Sequence, residues 1–349
     1  MAMDILILSI FAIVVVLSLV EDYMPAWQKI LILIAIGTAL ICISTFKPMT
    51  TADATNYESY FYNNDNFLIE VATEPTFIYM SRLYLSLGFG ITAIFLTYAL
   101  LAIPLKLTIL WKMTPFIFTS MIVYVGIYYP VHDAVQIRCG VAVAFLLWAM
   151  VPLAKRRYFM AIVLLIVATL FHYSSIAFIP ILIVGNMKIG KYWKYLLGIT
   201  IPICLALYVA GIGATSLIPS SVVEGKLDLY KETSEAGGWE EYALYKHIPF
   251  LTEFALLYIF LYFYETIEKH CIYAPILVKI LVLEMGYMIL FADIPVLGAR
   301  LHELFGMFNV VAYVQCLYCV KPRYVVRIGI AVFSLAFYIV QMLHDVYFH

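Results

Sequence analysis

The sequence predicts an all-α polytopic membrane protein with about twelve transmembrane helices, some short or broken, and a cavity open to the outer face. Three observations carry this. The 349 residues are 65% hydrophobic and only 12% charged, with a mean hydropathy of +0.98; soluble domains are about half apolar and about a quarter charged. Apolar runs long enough to cross a bilayer recur along the whole chain, and a crossing needs about 20 apolar residues. The basic residues collect on alternate connections between those runs, as topology signals do. No alternating ten-residue pattern suggests a β-barrel. The whole of 1–349 reads as one integral membrane domain with two long outer loops, 47–88 and 219–246. A net charge of −1 gives no signal for nucleic acid.

Taken in order, Ile5 to Val20 is the first expected span. It lacks a basic flank before it and a small-residue cleavage site after it, so it reads as a retained helix rather than a signal peptide. Ile30 to Phe46 is the second. The first outer loop is rich in acids and aromatic residues, and Ile78 to Leu87 is expected to form a short interfacial helix. Phe89 to Leu110 and Pro115 to Tyr129 cross next. A polar stretch from Tyr129 to Arg138 then opens a fifth span that ends near Leu153. Tyr158 to Val184 is interrupted at Phe171 to Ser175, which predicts two short helices turning back at His172. Short helices of this kind are tolerated where they line a protein-enclosed, water-filled cavity. Tyr195 to Ile218, Ile248 to Tyr264, Pro275 to Phe291, Leu304 to Val320 and Tyr324 to His344 complete the spans. Ala292 to Glu303 is expected to be a charged turn. Cys316 and Cys319 lack a second ligand pair, so no zinc site is expected.

With the turn at His172, fourteen of the 21 basic residues fall on one side, among them Lys155, Arg156, Arg157, Lys188, Lys191 and Lys194. That side is expected to be cytoplasmic. The opposite, outer side receives both long loops and His132, Asp133, Arg138, His172, Arg300, His302 and Glu303. No glycine-rich phosphate loop occurs, and no nucleotide is available outside, so any glycosyl donor there must be lipid-linked or already exported.

Charged groups at apolar boundaries are costly and mark functional sites by default. Arg138 stands about one turn inside the fifth span. Asp133 is five residues away and not an obvious in-helix partner, which leaves Arg138 for a ligand or another helix. Its planar fork of donors suits phosphate. His132 and Asp133 are expected at the outer entrance. Arg300 and Glu303 share a helix face, either as a structural ion pair or as a phosphate-binding arginine with its orienting acid. Asp53 and Glu74 are the loop carboxylates considered as a general base for a sugar hydroxyl. His172 is either a cap or core hydrogen bonder, or a catalytic hydrogen-bonding group. Glu284, inside a span near Lys279, is either a buried interhelical hydrogen bonder or part of a proton pathway. The loop aromatics Tyr57, Tyr60, Phe61, Tyr62, Phe67, Phe77, Tyr79 and Tyr84 suit an interfacial belt or stacking on sugar rings.

The chain resembles the EpsG family of polysaccharide-assembly proteins, which overlaps the Wzy-type O-antigen and capsule polymerases. The likeness rests on Asp53 through Tyr57 and Tyr60 to Glu74, Pro75 and Phe77; on Arg138, Gly140, Val141 and Ala142 with the basic Lys155 to Arg157 and the run Phe171 to Ser175; and on Pro295, Val296, Leu297, Arg300 and Glu303. The resemblance implies glycosyl transfer at the outer face of a bacterial plasma (inner) membrane. A growing chain on undecaprenyl pyrophosphate would move to a lipid-linked oligosaccharide repeat unit. Arg138 and Arg300 would neutralise the departing pyrophosphate. Asp53 or Glu74 would take the acceptor proton, and His132 or His172 would hydrogen-bond donor or acceptor. No cofactor or metal is implied. The partners are the undecaprenyl-pyrophosphate-linked oligosaccharide, membrane lipid, and flippase and chain-length regulator proteins.

Three rival readings stand beside this one. A lipid-linked oligosaccharide flippase should carry polar residues through the full membrane depth and internal repeats; only Glu284 and Lys279 lie deep, and no repeat is clear. An O-antigen ligase or another outer-face glycosyltransferase shares the topology and the arginine logic. A structural envelope partner leaves the sided clustering of acids and arginines unexplained.

Overall fold

The protein is described here by a computed structural model covering residues 2–51, 53–213, 216 and 248–343. The second expected outer loop, 219–246, lies outside the described residues. Within them the chain is helical, with no β-strand. It packs as two compact units, residues 1–178 with 313–349, and residues 179–312.

The first unit holds α1 (Ala2–Val20), α2 (Ala26–Thr45), the small loop helices α3 (Ala54–Tyr62), α4 (Phe67–Ala72) and α5 (Pro75–Ser86), then α6 (Thr92–Met113), α7 (Ile117–Val123), α8 (Ile137–Ala154) and α9 (Tyr158–Phe171). The second holds α10 (Ile179–Val184), α11 (Lys191–Val209), α12 (Ile248–Tyr262), α13 (Tyr264–Glu268), α14 (Ala274–Leu290) and α15 (Pro295–Gly306). Helix α16 (Asn309–Gln315) leads back to the first unit, which α17 (Arg323–Leu343) completes.

Among the described residues six helices are long and apolar enough to cross a membrane: α1, α2, α6, α8, α11 and α17. Four further apolar stretches, Ile117–Tyr128, Tyr158–Phe171, Tyr173–Val184 and Phe250–Tyr262, are shorter. The protein is therefore a multi-pass membrane protein; the described residues supply six long candidate spans where about twelve spans are expected from the sequence. Exposed apolar side chains such as Val16, Ile34, Phe159 and Val332 run along these helices, as lipid-facing surfaces require. Helix α8 is the best covered, 67% buried, whereas α11 is 11% buried. Helix α8 packs on α6 and α9, while α1 and α17 both pack on α7.

Four local features differ from or sharpen the sequence reading. The first expected outer loop folds into three helices rather than one. Pro75 at the first position of α5 favours an earlier start there, and Tyr57 and Phe61, four residues apart on α3, bury one common face. The stretch expected as an entrance loop continues α7 as two π-helical segments, Tyr124–Tyr128 and Pro130–Val135, every residue buried. Helix α9 ends at Phe171, and His172 leaves it in an extended conformation before a 3₁₀ segment, Tyr173–Phe178; the break falls where the sequence places it. The expected turn over Ala292 to Glu303 is largely α15, begun by Pro295, so Arg300, His302 and Glu303 stand on a helix.

Candidate functional site

The site is assembled in the first unit from three distant pieces of chain. Glu74 caps the N-terminus of α5 with its backbone, φ −64° and ψ 142°, and its side chain makes no capping bond. That side chain is buried and turns instead to two partners. Arg138 Nη1 donates to Glu74 Oε2, and His172 Nδ1 lies 2.9 Å from Glu74 Oε1. A carboxylate can only accept, so the imidazole hydrogen sits on Nδ1 in this contact. The backbone N–H of Tyr173 adds a longer bond to the same Oε1 at 3.4 Å. Thr76 fixes α5 against α9 by donating to the Leu170 carbonyl at 2.8 Å.

Burial pushes the Glu74 carboxyl up, but the His172 hydrogen bond and the Arg138 charge outweigh it and hold it at about 2, well below its ordinary 4.5. Glu74 is therefore an anion that orients its neighbours. The Arg138 guanidinium lies over the Tyr57 ring at 5.3 Å and the Phe77 ring at 5.8 Å. Its side chain is 20% exposed, and its Nε makes no hydrogen bond among the described residues. The aromatic floor continues through Phe61, Phe95 and Tyr98 to Ile137 on α8. Tyr57, Phe61 and Phe77 are thus buried packing groups, whereas Tyr62, Phe67 and Tyr79 present exposed rings.

Lys47 borders this floor. Its ammonium donates to the Ala134 carbonyl at 2.8 Å and lies 4.2 Å from the Phe95 ring centroid. Burial pushes it down to about 7, opposed by the Asp53 charge. Asp53 itself is half-buried at the start of α3 with a left-handed backbone, φ 63°, and accepts a long hydrogen bond from Asn56 at 3.5 Å.

His132 and Asp133 lie in the interior rather than at an entrance. His132 is buried and stacks on Tyr128 with ring centroids 5.8 Å apart. Asp133 accepts from Lys106 Nζ at 2.8 and 2.7 Å and from the Tyr124 hydroxyl at 2.8 Å. These bonds tie the π-helical segment to α6. The segment in turn touches α8 at Gly140, where a Cβ would stand 2.3 Å from the His132 carbonyl oxygen. That contact explains the glycine two residues after Arg138. In the second unit Arg300 is exposed on α15 and Glu303 half-buried. An open groove of about 1120 Å³ lies in the same unit between α11 and α12, lined by Tyr195, Pro202, Tyr258 and Phe263 with Lys194 and Glu265. It contains none of the candidate site residues.

A family model for the EpsG family matches residues 29–349. The chain belongs to the EpsG family. This is a Wzy-type polymerase family, and the match includes every candidate site residue and all the chain beyond the start of α2. No curated protein and no solved structure matches the chain. For this EpsG-family chain the sequence singles out Glu74, Arg138 and His172 separately, and the fold brings them together. Two groups escape sequence reasoning. Lys47 is only one more loop cation there, and Glu253 is passed over within its apolar run. An acid inside such a run is the signal that would have found Glu253.

Proposed function

We propose that the protein is a polysaccharide polymerase of the outer face of the bacterial inner membrane. It would transfer a growing glycan from undecaprenyl pyrophosphate to the non-reducing end of a lipid-linked oligosaccharide repeat unit. The acceptor hydroxyl would form the new glycosidic bond as the bond from the donor sugar to the pyrophosphate breaks, and the pyrophosphate would leave with the electron pair. The observation that carries this reading is the Glu74–Arg138–His172 cluster within an EpsG-family chain.

In this reading Glu74 fixes the Arg138 fork, whose remaining N–H groups face the departing pyrophosphate. Glu74 also holds the His172 tautomer, directing Nε2 toward the acceptor hydroxyl as general base. Asp53 is the alternative base. Arg300, with Glu303 beside it, is assigned to pyrophosphate, and His132 and Asp133 are assigned to holding the segment that precedes Arg138. Flippase and chain-length regulator proteins are the proposed protein partners.

Ion pairing supports the sorting of residues into two sides. In each unit taken by itself, ion pairs join residues that the basic-residue count puts on one side. Arg327 meets Asp22 and Glu21, and Arg138 meets Glu74. In the second unit Lys194 meets Glu265. Lys106 with Asp133 is the exception, and Lys106 lies well inside α6.

Deletion of the gene followed by gel analysis of surface polysaccharide tests the proposal. A polymerase defect removes the ladder and leaves a single capped repeat unit. Lipid core with no repeat unit would instead indicate a flippase or a ligase.

A further inference from the structure

A second polar cluster lies in the unit formed by residues 179–312 and takes no part in the proposed transfer. Glu253 on α12, Glu284 on α14 and His302 on α15 each offer a ligand atom, and these atoms all lie within 4.8 Å of one another. The Glu284 side chain is fully buried, that of Glu253 is 4% exposed and that of His302 11% exposed. His302 Nδ1 is 3.3 Å from Glu253 Oε2 and 3.1 Å from Glu284 Oε1. One ring nitrogen carries at most one hydrogen and cannot direct it along both lines. Glu253 Oε2, although buried, accepts no hydrogen bond among the described residues. Asn309 Nδ2 donates to Glu253 Oε1 at 3.2 Å and to Glu284 Oε2 at 3.1 Å, so the amide holds the two acids from one side.

We infer that Glu253, Glu284 and His302 form a binding site for a divalent transition ion of the zinc type. Metal–ligand bonds of about 2.0–2.2 Å place neighbouring ligand atoms about 3 Å apart, which matches the two nitrogen–oxygen separations. Two carboxylates and a neutral imidazole balance a doubly charged cation without leaving net charge in an apolar interior. The imidazole nitrogen among the ligands favours zinc over magnesium or calcium, and manganese is the rival that the two carboxylates admit. Asn309 would then be an outer partner that orients both carboxylates. Because each ligand comes from a different helix, the ion would bolt α12, α14 and α15 together, with its fourth position left to water.

The test uses the full-length protein purified in detergent from cells supplied with zinc and manganese. After dialysis into metal-free buffer, elemental analysis should find about one transition ion per chain. Glu284→Gln and His302→Ala should each lower that content about tenfold or more, whereas Glu74→Gln should retain it. Because the ligand variants can fail to fold, the wild-type protein is also melted with and without a strong chelator. The chelator should lower the melting temperature, and zinc or manganese should restore it. A wild-type protein free of transition ions, or a melting temperature indifferent to the chelator, overturns the site and leaves a hydrogen-bonded acid pair. Equal metal content in wild type and Glu284→Gln overturns it too.

Discussion

Glu74 and Arg138, 64 positions apart in the chain, close an ion pair in which the carboxylate also receives His172. The pair joins loop 47–88 to the N-terminus of α8, so a residue of the loop sets the position of an arginine on a long apolar helix. Removing one partner of a buried pair costs about 3–5 kcal/mol because the other is left uncompensated. Glu74→Ala should therefore lower the melting temperature of the detergent-solubilised protein and remove polymer. Glu74→Gln keeps the shape and loses the charge, and it should retain more stability but little activity. Equal activity in Glu74→Gln and wild type would remove the carboxylate from the account.

The same pair predicts a pH dependence. Folding lowers the Glu74 carboxyl from 4.5 to about 2. Its contribution is fully present above pH 4.5 and is lost as pH falls from there through about 2. Thermal melts across that window should fall more steeply for wild type than for Glu74→Gln. Parallel curves would contradict the charge assignment.

How much of this is legible in the sequence follows from which contacts are local. Arg138 stands out because a cation at the edge of an apolar run has no cheap explanation, and His172 because it interrupts one. Their partnership through Glu74 is not legible, since the histidine and the acid are 98 residues apart and nothing local pairs them. Asp133 shows the converse. It reads as a boundary residue because His132, Gln136 and Arg138 stand near it in sequence, yet its partner is Lys106 on α6, counted among the topology-setting cations, and the pair draws both inside. Helix α15 is missed because charge and proline suggest a turn, whereas a proline at the first helical position starts a helix.

Lys106 and Asp133 give a third prediction. Both side chains are fully buried. Lys106→Met alone should destabilise strongly by stranding the acid, and Asp133→Asn alone should do the same to the lysine. The double variant should recover part of the loss, because the buried charges are then removed together. Chemical denaturation of all four proteins measures the coupling. Additive losses would mean the pair is not a unit.

Gly140 gives a fourth. Its Cβ would stand 2.3 Å from a backbone oxygen that cannot swing away. Gly140→Ala should cost about 1–3 kcal/mol as overpacking, whereas Gly286→Ala meets nothing within 4 Å and should be tolerated. Comparing the melting temperatures of the two variants checks this. A stable Gly140→Ala would show that the π-helical segment yields.

In the proposed reaction Arg138 serves the departing pyrophosphate. The most direct measurement is the surface-polysaccharide gel of a strain that lacks its own copy of the gene and expresses Arg138→Ala. Immunoblotting of membranes establishes equal amounts of variant and wild-type protein. The variant should give no ladder and a single capped repeat unit. A ladder of normal length and intensity would contradict it.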